Sequence, residues 1–580
     1  MKSILPGSET IQTQANSIST THSKYHVYPP VLPEIEEWPI YQLSQDRTSF
    51  VKDVESFIYD RLSQSDYVSL YNMIAKTIYN ERIRIKEEPW KVDPPNDSSF
   101  WSKMQSEILK VKKEEESEAS TAILQGILTQ IINRYTEEIV GTFNKSTFLF
   151  ARKFLTFFFN KLLNTAIWFR KLTAYKSKQF KIHNRLNVIG EIDSLRNLMD
   201  KGTVVVIPTH FSNIDSVFIG YAMDAVLGLP SFSFGAGLNL YNSGIAAYYM
   251  NRLGAYRVDR RKKNPIYLES LKSMATLSLK RGVNNIFFPG GTRSRSGAIE
   301  ERLKMGLIGS VVEAQRALLQ EGNPEKIFIF PVVLGYPFVL EAKFMIEQHL
   351  KKEGKEQYLK TKDQSYSFRR VTKFIWNFFS KSSDITLSIG KPLDVIGNFI
   401  DNEGNSLDKH GNLLSLSDYF KTNDNISYDL QRDSQYTRIL SDQIVKRFKA
   451  ENIVLSSHLV AFAGFQILKL ENPGLDIYSL LRLPPEDFSF STDKMHKVLE
   501  QLKAALIDLE NKNMIKLSEE VRWGNEALLK HGITKMGSYH PRSPLMIDKN
   551  YQLIVSQDFQ LLYYYHNKLS GYQLEKHVSL

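Results

Sequence analysis

The sequence predicts an α/β fold in which a central mixed sheet is flanked by helices, with further helical regions at both ends. Three observations carry that expectation. Between residues 180 and 395, β-rich runs at Thr203–Ile207, Asn285–Phe288, Lys326–Val333 and Ile385–Ile389 alternate with segments long enough for helices, the mark of a layered α/β architecture. Outside that stretch apolar residues recur at helical spacing, most clearly in Ile123–Ile139 and Met495–Leu509. A chain of 580 residues also exceeds one ordinary core, so helical additions to a central unit are expected.

Residues 1–30 read as a flexible tail, since Met1 to Ser23 is polar, rich in Ser and Thr, and has no apolar core that could serve as a secretory signal. Residues 31–145 form an N-terminal helical region in which the Lys- and Glu-rich stretch Lys103–Glu118 leads into Ile123–Ile139. An amphipathic helix over 146–180 mixes aromatic residues (Phe148, Phe150, Phe154, Phe157, Phe158, Phe159, Trp168, Phe169) with basic ones (Arg152, Lys153, Lys161, Arg170, Lys171). Such a helix can lie in a lipid headgroup layer, rings toward the acyl boundary and cations toward anionic lipid. The plainer alternative is a core-packed helix with solvated basic side chains.

Residues 181–400 hold the α/β domain. Within it, Ala225–Asn251 lacks any charged residue and is long enough to span a bilayer, which takes about 20 residues. Pro230, four glycines and several Ser and Asn residues interrupt it, so loops and short helices around a buried site are expected instead. Residues 401–435, dominated by Asp, Asn, Ser and Gly, read as a polar linker or loop, and 436–580 as a C-terminal helical domain. No internal repeat is read along the chain.

Lys and Arg number 74 against 63 Asp and Glu, a net charge of +11 that favours an anionic partner. Nucleic acid is not expected, because no stacking-aromatic or helix-turn-helix signature accompanies the charge. The absence of cysteine excludes disulfides, thiolate metal sites and an acyl-cysteine intermediate. The His and Asp residues show no closed ligand cluster, so no metal is expected.

The strand Val204–Ile207 runs into Pro208-Thr209-His210-Phe211-Ser212-Asn213-Ile214-Asp215. That places His210 at a strand end and Asp215 in the first turn of a following helix, with Ser212 and Asp215 at a spacing like that of a capping box. Five residues apart, the two side chains meet only if the backbone turns between them, and a strand-to-helix turn provides this. A carboxylate on one imidazole nitrogen leaves the other as a general base. Downstream, Arg252–Arg261 and Phe287–Gly297 set arginines beside glycine-rich loops, a combination suited to holding a phosphate. Neither the Walker phosphate loop nor the G-x-S-x-G elbow of esterases is present.

Together these segments resemble the glycerol-3-phosphate acyltransferase family over roughly residues 180–395. Its four ordered blocks are an H-x4-D motif, a glycine six residues before an arginine, an F-x-E-G-x-R-S motif and a strand with a proline. They are matched by His210 to Asp215, Gly254 to Arg260, Phe288 to Ser294, and Ile329 to Tyr336. The chain departs from the pattern at Gly290, where the family has a glutamate; Glu300 and Glu301 are the carboxylates that could compensate.

The resemblance implies that His210 and Asp215 are the catalytic pair, and that Arg260 and Arg293 bind phosphate. Arg295, Lys304, Ser294 and the amides around Gly291 complete the expected substrate site. The implied reaction moves a fatty acyl group from acyl-CoA or acyl-carrier protein, a co-substrate rather than a cofactor, to the sn-1 hydroxyl of glycerol 3-phosphate, giving lysophosphatidate. It would take place at an anionic phospholipid membrane surface, the protein being peripheral on the cytoplasmic face. Rival expectations are acylation of lysophosphatidate or dihydroxyacetone phosphate by the same pair, or a degenerate lipid-binding protein, against which the intact pair argues.

Overall fold

The computed structural model describes residues 27–113, 115–168, 186–242, 244–353, 385–537, 540–548 and 552–580. Most of the expected tail and residues 169–180 of the expected aromatic helix lie outside them. Five α-helices come first: α1 (Pro39–Gln45), α2 (Arg47–Leu62), α3 (Tyr67–Glu87), α4 (Asp97–Ile108) and α5 (Glu118–Ile139). In α5, Ser117 caps the start by accepting the Ser120 N–H, and Leu124, Leu128, Ile131, Tyr135 and Ile139 recur on one buried face. The stretch Lys103–Glu118 is not one helix, because α4 ends at Ile108 and the Ser117 cap starts a new one.

Helix α6 (Lys145–Trp168) follows. Phe148 turns inward, its ring 5.2 Å from that of Trp38. Phe150, Phe154 and Phe157 remain 56%, 50% and 63% exposed. No helix among the described residues is long and apolar enough to cross a membrane.

A seven-stranded sheet forms the centre. Its strands are β1 (Leu186–Gly190), β2 (Gly202–Pro208), β3 (Ser233–Gly237), β4 (Ala255–Val258), β5 (Asn285–Ile286), β6 (Lys326–Gly335) and β7 (Ile385–Ile389), in spatial order β1-β7-β6-β2-β5-β3-β4. Strands β6, β2, β5, β3 and β4 are mutually parallel, whereas β7 runs antiparallel to β6 and parallel to β1. The sheet is therefore mixed. All four expected strands are present; β1, β3 and β4 are additional, and β3 arises within Ala225–Asn251. Strand β6 is buried from Ile327 to Gly335, as a central strand covered on both faces should be. Its Pro331 is tolerated because Ile329, two residues earlier on the same side, donates to Leu393, while regular pairing with β7 begins only at Val332.

Crossover helices cover the sheet: α7 (Ile192–Leu198), α8 (Asp215–Tyr221), α9 (Gly244–Met250), α10 (Pro265–Lys280), α11 (Met305–Gln320) and α12 (Ala342–Glu353). Beyond β7 the chain does contain an internal repeat, contrary to the sequence reading. The pattern D-x-x-G-N recurs every seven residues at Asp394, Asp401 and Asp408. In each copy the aspartate accepts the N–H of the asparagine four residues on, while Gly397, Gly404 and Gly411 take φ of 97°, 86° and 87°. The turns join the small meander Phe399–Ile400, Ser406–Leu407 and Leu413–Leu414. A repeat defined by Asp, Gly and Asn positions seven residues apart escapes a search for the apolar periodicity of helices or strands.

The C-terminal helices are α13 (Leu430–Glu451), α14 (Ser456–Glu471), α15 (Thr492–Asn511), α16 (Asn525–Gly537) and α17 (Phe559–His566). Helix α14 is buried on all sides from Ser456 to Leu468. One continuous hydrophobic core joins these helices to the sheet, whereas α2–α5 enclose a second core that reaches Ile266, Tyr267 and Met274 of α10.

Candidate active site

Strand β2 delivers His210 to the carboxyl edge of the sheet, and the chain turns back so that Asp215 opens α8. His210 Nδ1 and Asp215 Oδ2 are 2.8 Å apart. Asp215 is fully buried, and Oδ2 also accepts the N–H groups of Phe211 (2.7 Å) and Ser212 (2.9 Å). Oδ1 accepts the Tyr336 hydroxyl at 2.7 Å. Burial and the Asp215 charge push the Tyr336 phenol well above its ordinary range, so it stays a donor. Only half of a capping box forms: Asp215 accepts the Ser212 N–H, but the Asp215 N–H goes to the Ser212 carbonyl, and the Ser212 hydroxyl donates to Glu341 Oε2 (2.8 Å). With Nδ1 held by a buried acceptor, the proton sits there and Nε2 keeps its lone pair. The His210 side chain, 16% exposed, lines a cleft of about 890 Å³.

Arg260, Gly291, Arg293, Arg295 and Lys304 line the same cleft. Ser294 does not: its hydroxyl donates to Ala298 O at 2.6 Å and its N–H to His210 O at 2.7 Å, so it ties the third block to the first. Gly291 takes φ 71°, and a Cβ there would come 2.5 Å from Lys304 Nζ. Arg293 Nη1 lies 3.2 Å from Glu341 Oε1, which also accepts the Asn213 N–H at 2.9 Å. Burial raises the Glu341 carboxyl, an effect countered by Arg293.

The N-terminal helices hold the loop that carries Arg260. Arg261 pairs with Asp93 (2.5 Å) and Asp259 (2.7 Å), Lys262 pairs with Glu138 of α5, and Asn264 Nδ2 donates to Glu81 of α3 at 3.1 Å. Arg260, exposed between these clamped neighbours, faces the cleft. Lys263 and Lys272 also line it, while Leu240, Met250, Val258 and Leu307 supply apolar wall. No group of carboxylates and imidazoles among the described residues is arranged to hold a metal ion.

Sequence reasoning missed Glu341, Lys263 and Lys272 altogether and gave Tyr336 no chemical role. Tyr336 did close the fourth block, and that position was the one signal available. Glu341 stands outside every block, and only the fold brings it under Asn213.

Residues 189–335 match the family described as Acyltransferase. Glycerol-3-phosphate acyltransferases of Shewanella sp. (strain ANA-3), Shewanella oneidensis and Shewanella baltica are each 26% identical to the chain over 286 residues, which is 49% of this chain and 32% of the relative. The chain thus spans about a third of the length of these curated relatives. The blocks at the rim of the cleft fall inside or beside the matched stretch, and over that stretch the chain is similar to acyltransferases, the glycerol-3-phosphate acyltransferases among them.

Proposed function

We propose that this protein transfers a fatty acyl group from the thioester of acyl-CoA or acyl-carrier protein to the sn-1 hydroxyl of glycerol 3-phosphate. The observation that carries this is a His210–Asp215 pair within a cleft that also exposes Arg260, Arg293, Arg295 and Lys304. His210 Nε2 takes the proton of the attacking hydroxyl as its oxygen bonds to the thioester carbonyl carbon, and Asp215 stabilises the imidazolium. When the tetrahedral intermediate collapses, the carbon–sulfur bond breaks and the imidazolium returns the proton to the departing thiolate. A thiol with pKa of about 8.5 is a good leaving group, so strong acid assistance is unnecessary. The arginines hold the phosphate, and Leu240, Met250 and Leu307 offer apolar surface to the acyl chain.

The same reading places the protein on the cytoplasmic face of a membrane, bound peripherally. Phe150, Phe154 and Phe157 are exposed on α6, and Phe150 stacks at 6.3 Å on Tyr249 of α9, whose Met250 lines the cleft. An aromatic surface beside the cleft suits a lipid product.

The test is acyl transfer by the purified protein with anionic phospholipid vesicles, offering glycerol 3-phosphate or lysophosphatidate against each donor. Turnover of glycerol 3-phosphate that falls at least 100-fold in His210→Ala is expected, since the base contributes about 10²–10⁴-fold. Turnover of lysophosphatidate alone would replace the acceptor, and no turnover with any pair would sink the enzymatic reading.

A further inference from the structure

The loop Phe288–Ser294 contains two glycines, but only Gly291 takes a left-handed φ. Gly290 has no backbone reason to be glycine; the reason is space. A Cβ built on it would stand 3.2 Å from Glu300 Cγ and 3.3 Å from Glu300 Oε1. The Glu300 side chain therefore fills the volume that a side chain at 290 would take. From that position Oε1 accepts the main-chain N–H of His210 at 3.0 Å. Oε2 is buried with no hydrogen-bond partner among the described residues. Glu301 behaves differently, turning out to Lys449 at 3.2 Å.

A buried carboxylate with one oxygen unsatisfied is costly and persists only where something offsets it. Two features do so: the His210 N–H, and the buried ammonium of Lys568, which interacts with the charges of both Glu300 and Asp215. Lys568 follows α17 and lies 3.5 Å from the ring centroid of Phe211, the residue next to His210. The carboxylate thus reaches the main chain of His210 and does not line the cleft.

We propose that Glu300 is the positioning residue of this catalytic centre, fixing the main chain of His210 from the slot that Gly290 leaves open. The proposal rests on His210 being the base. It differs from a general packing role because an acceptor oxygen for the His210 N–H, and not the volume alone, is required, and because either position 290 or position 300 can supply it.

The experiment compares Glu300→Gly, Glu300→Gln and the double variant Gly290→Glu/Glu300→Gly in the full chain. It measures kcat, both KM values, and the rate at which diethyl pyrocarbonate modifies His210, read by peptide mass. Glu300→Gly is expected to lose at least 30-fold in kcat with both KM values within threefold, and to change the His210 modification rate. Glu300→Gln, which keeps an acceptor oxygen, retains more than a third of kcat, and the double variant recovers at least tenfold over Glu300→Gly. Wild-type kcat and unchanged His210 reactivity in Glu300→Gly would overturn the proposal, as would a folded double variant no better than that single one. Should Glu300→Gly fail to fold, the double variant decides alone. If the wild type transfers no acyl group, the assigned function fails while the His210 modification rates still decide whether Glu300 positions it.

Discussion

Asp215 accepts four hydrogen-bonding partners while having no contact with water, which makes it the most constrained ionisable group of the site. The two backbone N–H groups fix its place and the imidazole uses it, which leaves Tyr336 as the one side chain whose removal perturbs its charge without moving the turn. Tyr336→Phe leaves Oδ1 without a donor in a buried site. A hydrogen bond to a charged group contributes about 1.5–3 kcal/mol, so part of the stabilisation of the imidazolium is lost. The expected outcome is a fall of about tenfold in kcat with both KM values unchanged, measured by steady-state acyl transfer. An unchanged kcat would show that the hydroxyl serves packing only. The His210–Asp215 pair itself was legible in the sequence, because a strand-to-helix turn brings residues five apart together. The Tyr336 partner was not, because a strand 121 residues away presents it.

At the level of elements, the four β-rich runs were legible because buried strands of a covered sheet read as unbroken apolar segments. Strands β1, β3 and β4 were not: β1 is edge-exposed and polar in part, and β3, Ser233–Gly237, is built, apart from Phe234, of small residues with little strand propensity. Also hidden was the partnership between the C-terminal segment and the loops of the candidate site. Lys568 donates to Leu334 O at 3.3 Å, and Asn567 Nδ2 donates to Ser296 O at 2.9 Å. Burial pulls the Lys568 ammonium down to about 7, against the raising effect of Glu300 and Asp215. In the unfolded chain the same group titrates near 10.4. The unfolded state therefore binds more protons between these values, and the cost of burying Lys568, fully present below pH 7, is relieved as pH rises toward 10. Compared with Lys568→Met, the wild type should gain about 1 kcal/mol of stability per pH unit between pH 7 and 10, read from urea unfolding of both proteins. A difference independent of pH would mean that Lys568 keeps an ordinary ammonium.

Over the whole molecule, the hydrophobic core that starts at Leu186 in β1 continues without interruption to Leu574, so the sheet bearing the site and the helices behind it stand or fall together. That core contains imidazoles that have no room for a second proton. His458 Nε2 faces Tyr336 O at 3.0 Å, and the Leu455 N–H points at its Nδ1. In His566, Gln466 and Asn567 occupy the two ring nitrogens at 3.0 and 2.9 Å. Burial pulls both down to about 3 and His540 to about 4. Each remains neutral when folded but takes a proton below about 6.5 when unfolded, so each costs stability as pH falls through 6.5, until the folded group titrates as well. Buried carboxylates such as Glu341, whose values are raised, oppose this trend, so one imidazole is best isolated by substitution. His566→Gln preserves a neutral hydrogen-bonding side chain between Gln466 and Asn567 and removes the titrating group, together with the ring stacked on Phe462 at 4.7 Å, a loss that does not vary with pH. Its unfolding free energy relative to wild type should rise by about 1 kcal/mol per pH unit from pH 6 to pH 4. Because the core is shared, acyl transfer after acid exposure should recover in parallel with the far-ultraviolet signal. Activity lost at a pH where the C-terminal helices remain intact would divide the molecule into two units and disprove the common transition.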